Sequence, residues 1–319
     1  MNVQSTPCPA CRTGGTSVCE TVEIAELAVQ WNRTWPTAPA PSVQALIGWM
    51  SEDIAAGVVR LDRCAACGLE FSETMRAWSA NHYPAQSHGL GYDQMQALAH
   101  LSASPPLDVL EIGCGCGEFL KSASALGHRC LGIDFSVESV ARAQAAGVNA
   151  RVMDLAELAA WQDRPQAFDA IAMFQVIEHL ERPDQLFAEI ADVVKPDSLL
   201  FVGCPSPTRI TRRIAHAQRV GTAEFWDYPP QHVMRWNPQA LEAFLARHGW
   251  DVESVEHEPF RIAAAAAELV AIDGLAGGWY ANPLRRRLST LVRRAQLTAL
   301  SLIQTYTGTR LFVRARRRR

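Results

Sequence analysis

The chain has 319 residues, of which 48% are hydrophobic and 20% charged, so its composition is that of a globular protein with a large core. A net charge of −3 excludes general nucleic-acid affinity, and no apolar run reaches the roughly 18 residues that span a bilayer. The nine cysteines and the absence of a signal-peptide pattern favour reduced thiols and a cytoplasmic location.

Two cysteine pairs lie in the first quarter of the chain. Cys8 pairs with Cys11 and Cys64 with Cys67, each with two intervening residues. Two such knuckles supply four thiolates with tetrahedral geometry, which is typical of a structural zinc site. The 52 residues between the pairs are long for a zinc ribbon. Four incidental buried cysteines, or a redox pair, are the alternatives.

The surrounding residues predict a zinc-binding module over residues 1–75. Residues 21–31 have the pattern of a helix, and residues 57–62 that of a strand leading into the second cysteine pair. Residues 76–106 follow as a linker, with a flap over a neighbouring site as the equal alternative.

A glycine-rich turn follows the apolar strand at residues 108–112. Its glycines, Gly113, Gly115 and Gly117, precede a helix, and a second apolar strand ends at Asp134. Glycines at such a turn let a ligand approach the backbone. An acidic residue about 20 positions further on can accept hydrogen bonds from the hydroxyls of a ribose. These features predict a site for an adenosine-containing ligand; a tight turn without a ligand is the alternative.

Two glutamates narrow the choice of ligand. Glu118 stands where a dinucleotide-binding turn has its third glycine, and a carboxylate there would face a pyrophosphate. Glu111, one residue before the strand ends, suits a ligand that carries a positive charge. The turn therefore favours S-adenosylmethionine over a nicotinamide dinucleotide.

Strands and helices alternate between residues 107 and 205, which predicts a parallel sheet with helices on both faces. The expected strands are near 108–112, 130–133, 149–152, 168–174 and 198–203, and the expected helices near 117–126, 136–146, 155–161 and 183–194. Asn237 and Pro238 are typical of a helix start, and strands are predicted at 251–257 and 309–314.

The segments VLEIGCGCGEFL, GIDFS and FDAIAMFQVIEHL together resemble the class I S-adenosylmethionine-dependent methyltransferases. The resemblance implies an α/β fold with a Rossmann-like, mostly parallel sheet closed by an antiparallel hairpin, built from residues 107–257 and 309–315. It also implies that S-adenosylmethionine binds to residues of the turn and of the strand ends. These residues are Glu111, Gly113, Gly115, Gly117, Asp134, Phe135, Asp154, Leu155 and Gln175.

The segments CPAC, VEIAELAVQW and RCAACGLEF resemble bacterial methyltransferases with an N-terminal zinc module, among them deoxysugar C-methyltransferases. This resemblance implies a structural zinc ion at the four cysteines. It also supports a small-molecule acceptor: a sugar, a nucleotide-sugar or another glycan or lipid precursor. Both C- and O-methylation remain open.

Two histidines are candidates for a base that activates the acceptor. His179 follows Glu178 in VIEHL, just after the fourth core strand, and a role in shaping the pocket floor is its alternative. His232 lies in DYPPQHVMRW, and we predict that it acts on the acceptor side, with Tyr228, Trp226 and Arg235 lining the same pocket.

Residues 258–308 are predicted to be a helical insertion that ends in a basic region. Residues 285–319 contain eleven arginines and no acid. Leucines and alanines from Leu284 to Leu302 recur at helical spacing, so this face is expected to pack on the domain, with the arginines solvated. A weak contact with an anionic membrane or substrate is the alternative. Residues 316–319 are expected to form a disordered basic tail.

Two functions from other classes remain as alternatives. One is a nicotinamide-dependent oxidoreductase, against which the glycine spacing argues. The other is a non-catalytic module that binds through the zinc knuckles and the arginine-rich end; specific nucleic-acid binding is not expected from the net charge.

Overall fold

The computed structural model describes residues 7–13, 15–27, 57–77, 89–161, 167–209, 212, 227–275, 283–301 and 306–319. The strands are β1 (Thr16–Glu23), β2 (Val58–Cys64), β3 (Glu70–Ser72), β4 (Asp108–Ile112), β5 (Arg129–Asp134), β6 (Ala150–Val152), β7 (Phe168–Phe174), β8 (Val194–Pro205), β9 (Met234–Arg235), β10 (Trp250–Pro259) and β11 (Thr307–Arg317). The helices are α1 (Tyr92–Ser102), α2 (Glu118–Ala125), α3 (Val137–Ala145), α4 (Leu155–Ala160), α5 (Pro183–Ala191), α6 (Pro238–Arg247), α7 (Ile262–Leu275) and α8 (Pro283–Ser301). In the part of the chain described here, no helix is long and apolar enough to cross a membrane.

Seven strands form a twisted sheet in the order β6-β5-β4-β7-β8-β11-β10. The strands from β6 to β8 run parallel, whereas β11 lies antiparallel to both β8 and β10. The order reverses between β4 and β7, and such a switch point leaves a crevice beyond the carboxyl ends of the strands. This arrangement confirms the predicted Rossmann-like sheet and its closing antiparallel hairpin.

Two apolar layers cover the faces of this sheet. Helices α1, α2 and α3 pack on one face, through residues such as Leu101, Phe119 and Val140. Helices α4, α5 and α6 pack on the other, through residues such as Leu158 and Phe187. Strand β7 is almost wholly apolar because it is central and buried on both sides. Because β7 is packed on both faces, the residues that follow it, Gln175 to His179, start from a fixed position.

Four strands form a second, antiparallel sheet in the order β1-β2-β3-β9. The first three belong to the predicted N-terminal module, but β9 comes from residues 234–235, far along the chain. The pairs Glu70–Arg235 and Phe71–Met234 join the two regions. The segment predicted to border the acceptor, residues 227–236, therefore includes a short strand of the N-terminal sheet.

Two local predictions at the ends of the chain are wrong. Residues 21–23 belong to strand β1 and helix begins only at Ile24, because β1 pairs along its length with β2. Residues 28–31 of the predicted helix lie outside the described residues. The tail is not disordered, since β11 continues to Arg317 and pairs there with Trp250. Arg316 and Arg319 also form ion pairs with Glu253 and Asp197.

The insertion between β10 and β11 contains α7 and α8, as predicted. The two helices pack together around Ala266, Leu269 and Leu297. The expected packing of the α8 leucine stripe on the domain is wrong, because Leu284 and Leu288 are 74% and 59% exposed. The helix uses its other face, where Leu297 is buried, to contact α7.

Candidate functional site

The glycine turn joins β4 to α2 and opens onto the crevice of the large sheet. Gly113, Gly115 and Gly117 have φ angles of +72°, +53° and +83°, a region that residues with a Cβ rarely adopt. A Cβ at Gly113 would lie 2.6 Å from Val176, whereas one at Gly115 would meet no atom within 4 Å. The turn is therefore packed from below at Gly113 and open at Gly115, as a ligand cradle requires.

Asp134 links the second strand to this turn. Its Oδ2 accepts a hydrogen bond from the backbone N–H of Gly115 at 2.9 Å, and its Oδ1 accepts one from Ser136 at 2.8 Å. The neighbouring Phe135 side chain is 66% exposed. The predicted ribose contact thus lies against the predicted methionine-binding turn, so both predictions fall on one crevice.

Glu111 gives the crevice its charge preference. The side chain is buried, and its Oε2 has no hydrogen-bond partner among the described residues. Burial raises the pKa of Glu111 well above its usual range, and the nearby carboxylates of Glu118, Asp134 and Asp93 raise it further. A cationic group in the crevice would relieve this repulsion, which fits the sulfonium and ammonium of S-adenosylmethionine.

Gln175 lies directly after β7 with a φ angle of +57°, in the left-handed region. Its backbone N–H donates to the Gly203 carbonyl at 2.8 Å, and its side-chain amide donates to Asp93 Oδ2 at 3.1 Å. Asp93 is fully buried and also pairs with Arg310 at 2.7 Å. These contacts place the start of α1, from the predicted linker or flap segment, beside the strand ends.

Asp93 was not predicted as a site residue. In the sequence it has the ordinary pattern of an acid in the first turn of a helix, and its partners lie 82 and 217 positions away. A Cβ at Gly203 would lie 2.1 Å from the Asp93 carboxylate, so this glycine permits the close approach. Asp93 is therefore recognisable as a site residue only from its contacts with distant residues, and a local sequence pattern does not contain that information.

Asp154 and Leu155 begin helix α4 beyond β6. Asp154 Oδ1 accepts from the Glu157 N–H at 2.7 Å, and Glu157 Oε2 accepts from the Asp154 N–H at 2.9 Å, which forms a capping box. Leu155 is buried. The cap accounts for one carboxylate oxygen of Asp154, and the role of this residue in adenine binding stays a prediction.

Two histidines meet beside the crevice, one after β7 and one before β9. The rings of His179 and His232 lie edge to face, with centroids 4.8 Å apart. His179 Nδ1 donates to the Gln231 carbonyl at 2.5 Å, and His232 Nδ1 donates to Asp227 Oδ1 at 3.1 Å. Each Nδ1 faces an oxygen acceptor and therefore carries a proton, so Nε2 is the ring nitrogen that can accept one.

Glu178 completes this group, which we call the acceptor cluster (Glu178, His179 and His232). Both carboxylate oxygens of Glu178 are buried without a hydrogen-bond partner among the described residues. Burial raises the pKa of Glu178 to about 8. Burial, with a smaller contribution from His232, lowers the pKa of His179 to about 3. One nitrogen of each histidine and one carboxylate oxygen of Glu178 lie within 4.8 Å of one another. This spacing is close enough for one oxygen atom of a methyl-accepting substrate to contact all three side chains.

A buried ionic network holds His232 in place. Asp227, which accepts from His232, also pairs with Arg209 at 2.7 Å and with Arg235 at 3.0 Å. Arg235 in turn pairs with Glu20 at 2.7 Å and with Glu70 at 3.2 Å. The N-terminal sheet therefore supports the histidine through charged side chains.

Of the three residues predicted to line the pocket with His232, two take part in this network. Arg235 is buried and belongs to the network, and the Tyr228 hydroxyl donates to Glu20 at 2.5 Å. Trp226 lies outside the described residues. Asp227, the direct partner of His232, was not singled out from the sequence, although it stands five positions before the histidine.

The four predicted zinc ligands come together at the edge of the N-terminal sheet. Cys8 Sγ lies 3.5 Å from Cys67 Sγ, and Cys11 Sγ lies 3.6 Å from Cys64 Sγ. All four sulfurs lie within 4.8 Å of one another. Zinc–sulfur bonds of about 2.3 Å place tetrahedral thiolates about 3.8 Å apart, so the four cysteines fit this metal.

Helix α6 anchors this cluster to the larger domain. The Asn237 amide donates to the Cys67 carbonyl at 3.1 Å, and its Oδ1 caps the helix by accepting from the Ala240 N–H. Arg247 donates to the Ala10 carbonyl at 3.0 Å. The cysteine cluster is thereby fixed to the helix that follows β9.

The chain is similar in sequence to known methyltransferases. Residues 86–255 match the model of a family described as a methyltransferase domain. A ubiquinone biosynthesis O-methyltransferase of Xanthomonas campestris pv. campestris is 26% identical over 216 residues, which cover 63% of this chain and 87% of that protein. A probable S-adenosylmethionine-dependent methyltransferase of Mycolicibacterium smegmatis is 30% identical over 194 residues, covering 59% of this chain and 67% of that protein. Among solved structures, an S-adenosylmethionine-dependent methyltransferase from Archaeoglobus fulgidus aligns with a TM-score of 0.45 and 19% identity, covering 70% of this chain and 94% of that one.

Proposed function

The chain belongs to the S-adenosylmethionine-dependent methyltransferases, and from this premise we propose that it methylates a small molecule held at the acceptor cluster. The proposed acceptor is a sugar, a nucleotide-sugar or another glycan or lipid precursor. The Xanthomonas relative is an O-methyltransferase by name, which supports a hydroxyl group as the methyl acceptor. Membership of this family excludes the oxidoreductase and the non-catalytic module as the main function.

The crevice residues divide the work of holding the methyl donor. In this proposal the open turn at Gly115 accommodates the methionine part of the donor, and Asp134 accepts hydrogen bonds from the ribose hydroxyls. The buried carboxyl group of Glu111 favours the positively charged groups of the donor. When bound, S-adenosylmethionine supplies an electrophilic methyl group on its sulfonium. The surrounding carboxylates favour the cationic donor over its neutral product, which assists product release.

We assign the role of base to His232, and this assignment rests on one observation. Its Nδ1–H is committed to the buried carboxylate of Asp227, so its Nε2 is oriented as a proton acceptor. In the proposed reaction the acceptor hydroxyl would give its proton to Nε2 and its oxygen would bond to the methyl carbon, while the bond between that carbon and the sulfonium breaks and leaves the neutral thioether product. His179 is half-buried, and its lowered pKa keeps it neutral, which suits it to position the acceptor. Glu178 is protonated near neutral pH and can donate a hydrogen bond to the acceptor.

We further propose a structural zinc ion at Cys8, Cys11, Cys64 and Cys67. The sulfur spacing supports it, as do the contacts from α6 that fix both knuckles. The ion would hold the end of the sheet that carries β9, and through it the loop that carries His232. Its role is to support the acceptor side and not to take part in methyl transfer.

The test combines identification of the acceptor with one substitution. Purified protein is incubated with labelled S-adenosylmethionine and pools of sugars, nucleotide-sugars and phenolic lipids, and product mass gives both the acceptor and the methylated atom. We expect His232→Ala to lose about 10²- to 10⁴-fold in turnover, as is typical for loss of a general base. Its dissociation constant for S-adenosylmethionine, measured by calorimetry, should stay unchanged. Unchanged turnover with a verified acceptor would remove His232 as the base.

A further inference from the structure

Helix α8 presents a row of apolar side chains to solvent. Leu284, Leu288, Leu291 and Val292 are 74%, 59%, 61% and 58% exposed. Successive residues of an α-helix are rotated by about 100°, so the three leucines lie within roughly 60° of one another around its axis. The exposed residues therefore form one continuous stripe and are not scattered over the surface.

This stripe lies on a different face of α8 from the one that contacts α7. Leu297, the buried residue of α8, lies roughly 140° from Leu284 around the axis. It packs against Ala265, Ala266 and Leu269 of α7. The contact with α7 thus uses one face of α8, and the leucine stripe occupies the other.

Positive charge borders the stripe on both sides. Helix α8 contains five arginines and no acidic residue. At about 100° per residue, Arg285 falls on one flank of the leucines, and Arg287 and Arg294 on the other. All three side chains are exposed. An apolar centre with basic flanks matches the interface of an anionic bilayer, where acyl chains meet the stripe and headgroup phosphates meet the arginines.

The base of the α7–α8 hairpin lies at the edge of the large sheet where the parallel strands have their carboxyl ends. Thr307, where the chain re-enters β11, pairs with Pro259 and its hydroxyl contacts Ser206 at 2.8 Å. Ser206 directly follows β8, so the hairpin leaves the sheet at the carboxyl ends of the parallel strands. The cofactor crevice and the acceptor cluster lie at this same edge.

From these observations we propose that α8 is an in-plane anchor that docks the protein on a membrane surface containing anionic lipid. Leu284, Leu288 and Leu291 enter the acyl boundary, while the flanking arginines bind lipid phosphates. The anchor brings the edge that carries the crevice close to the bilayer. Docking is independent of the identity of the methyl acceptor, so it can be tested without an assay of activity.

The experiment measures co-sedimentation of the full-length protein with vesicles. One set contains phosphatidylcholine with phosphatidylglycerol, and the other phosphatidylcholine alone. We expect binding to the anionic vesicles and much weaker binding to the neutral ones. Leu288→Gln combined with Leu291→Gln should reduce the vesicle partition coefficient by at least about tenfold, because two inserted leucines are lost. Arg285→Gln combined with Arg287→Gln should reduce it by about thirtyfold, since each arginine near an anionic surface contributes about fivefold.

Matched controls separate docking from loss of fold. Leu126, which is 45% exposed at the end of α2, and Lys121, exposed on the same helix, are replaced by Gln in the control variants. Both controls should sediment as the wild type does, and all variants should keep the wild-type melting temperature. The proposal is overturned by equal sedimentation with both vesicle types, or by none. It is equally overturned if the leucine variant binds normally, which would indicate purely electrostatic adsorption. Binding to soluble polyphosphate but not to vesicles would assign the arginines to a dissolved anion instead.

Discussion

The acceptor cluster contains a carboxyl group whose burial should be measurable as stability. Glu178 is 1% exposed, and both its oxygens lack a hydrogen-bond partner among the described residues. Its pKa rises from an ordinary value of 4.5 to about 8, mainly because burial disfavours the charged form. We predict that Glu178→Gln, which places a neutral side chain of similar shape there, stabilises the protein at neutral pH while it impairs turnover.

The sign and size of the effect follow from proton linkage. Below pH 4.5 the Glu178 side chain is protonated in both the folded and the unfolded chain. Between 4.5 and about 8, the folded chain retains a proton that the unfolded chain has released, so stability falls as pH rises. Each pH unit in this window costs about 1.4 kcal/mol, which amounts to about 3 kcal/mol between pH 5 and pH 7. Glutamine does not titrate, so the variant escapes this loss.

The assay is urea denaturation of both proteins at pH 5 and at pH 7. The free-energy advantage of Glu178→Gln over wild type should grow by about 3 kcal/mol from the lower to the higher pH. Comparing two pH values cancels any constant difference between an amide and a carboxylic acid. Glu242→Gln, at an exposed position on α6, is the matched control. An advantage of the same size at both pH values would refute the reasoning, because Glu178 would then not retain its proton.

Two other predictions test the cofactor crevice and the cysteine cluster. Because the pKa of Glu111 is raised by burial and by its acidic neighbours, binding of a cation should release its proton. Affinity for S-adenosylmethionine should therefore increase as pH rises toward the raised pKa of Glu111, by up to about tenfold per pH unit, and Glu111→Gln should abolish this increase in calorimetric titrations. Metal analysis should find about one zinc per chain, and Cys64→Ser should lose both the ion and turnover while Cys19→Ser keeps them. A metal-free wild type would contradict the zinc site. A second equivalent would point to a cation at the acceptor cluster and against a histidine base.

The cofactor side could be predicted from the sequence because its information is local. Each predicted residue, from Gly113 to Asp134 and Gln175, directly follows or ends a strand of the parallel sheet. Parallel strands end at a common edge, so strand positions alone bring these residues to one crevice. The structure adds Asp93, whose approach depends on a glycine in β8 and on an arginine in β11.

The elements that were predicted wrongly depend on pairing between distant segments. Residues 21–23 have helical spacing, yet they form a strand because β2 offers a complementary edge. The terminal arginines have the composition of a disordered tail, yet Arg317 pairs in the sheet and its guanidinium lies 5.6 Å from the centre of the Trp250 ring. The leucine stripe of α8 predicts packing on the domain, but Leu284 and Leu288 are largely exposed and the helix packs on α7 through Leu297 instead. In each case a distant partner decides the structure, and no local pattern carries that information.

The two sheets explain how one chain can keep a common cofactor crevice and still vary its acceptor. The residues predicted to hold the donor belong to the large sheet, whereas His232 lies in a loop whose next strand, β9, pairs with the N-terminal sheet. The charges that fix this loop come from both sides, since Arg235 contacts Asp227 in the loop and Glu70 in β3. A change in the N-terminal module would therefore move the base relative to the donor without disturbing the glycine turn. It follows that substitutions at Glu70 should alter turnover and acceptor preference together, while affinity for S-adenosylmethionine stays constant.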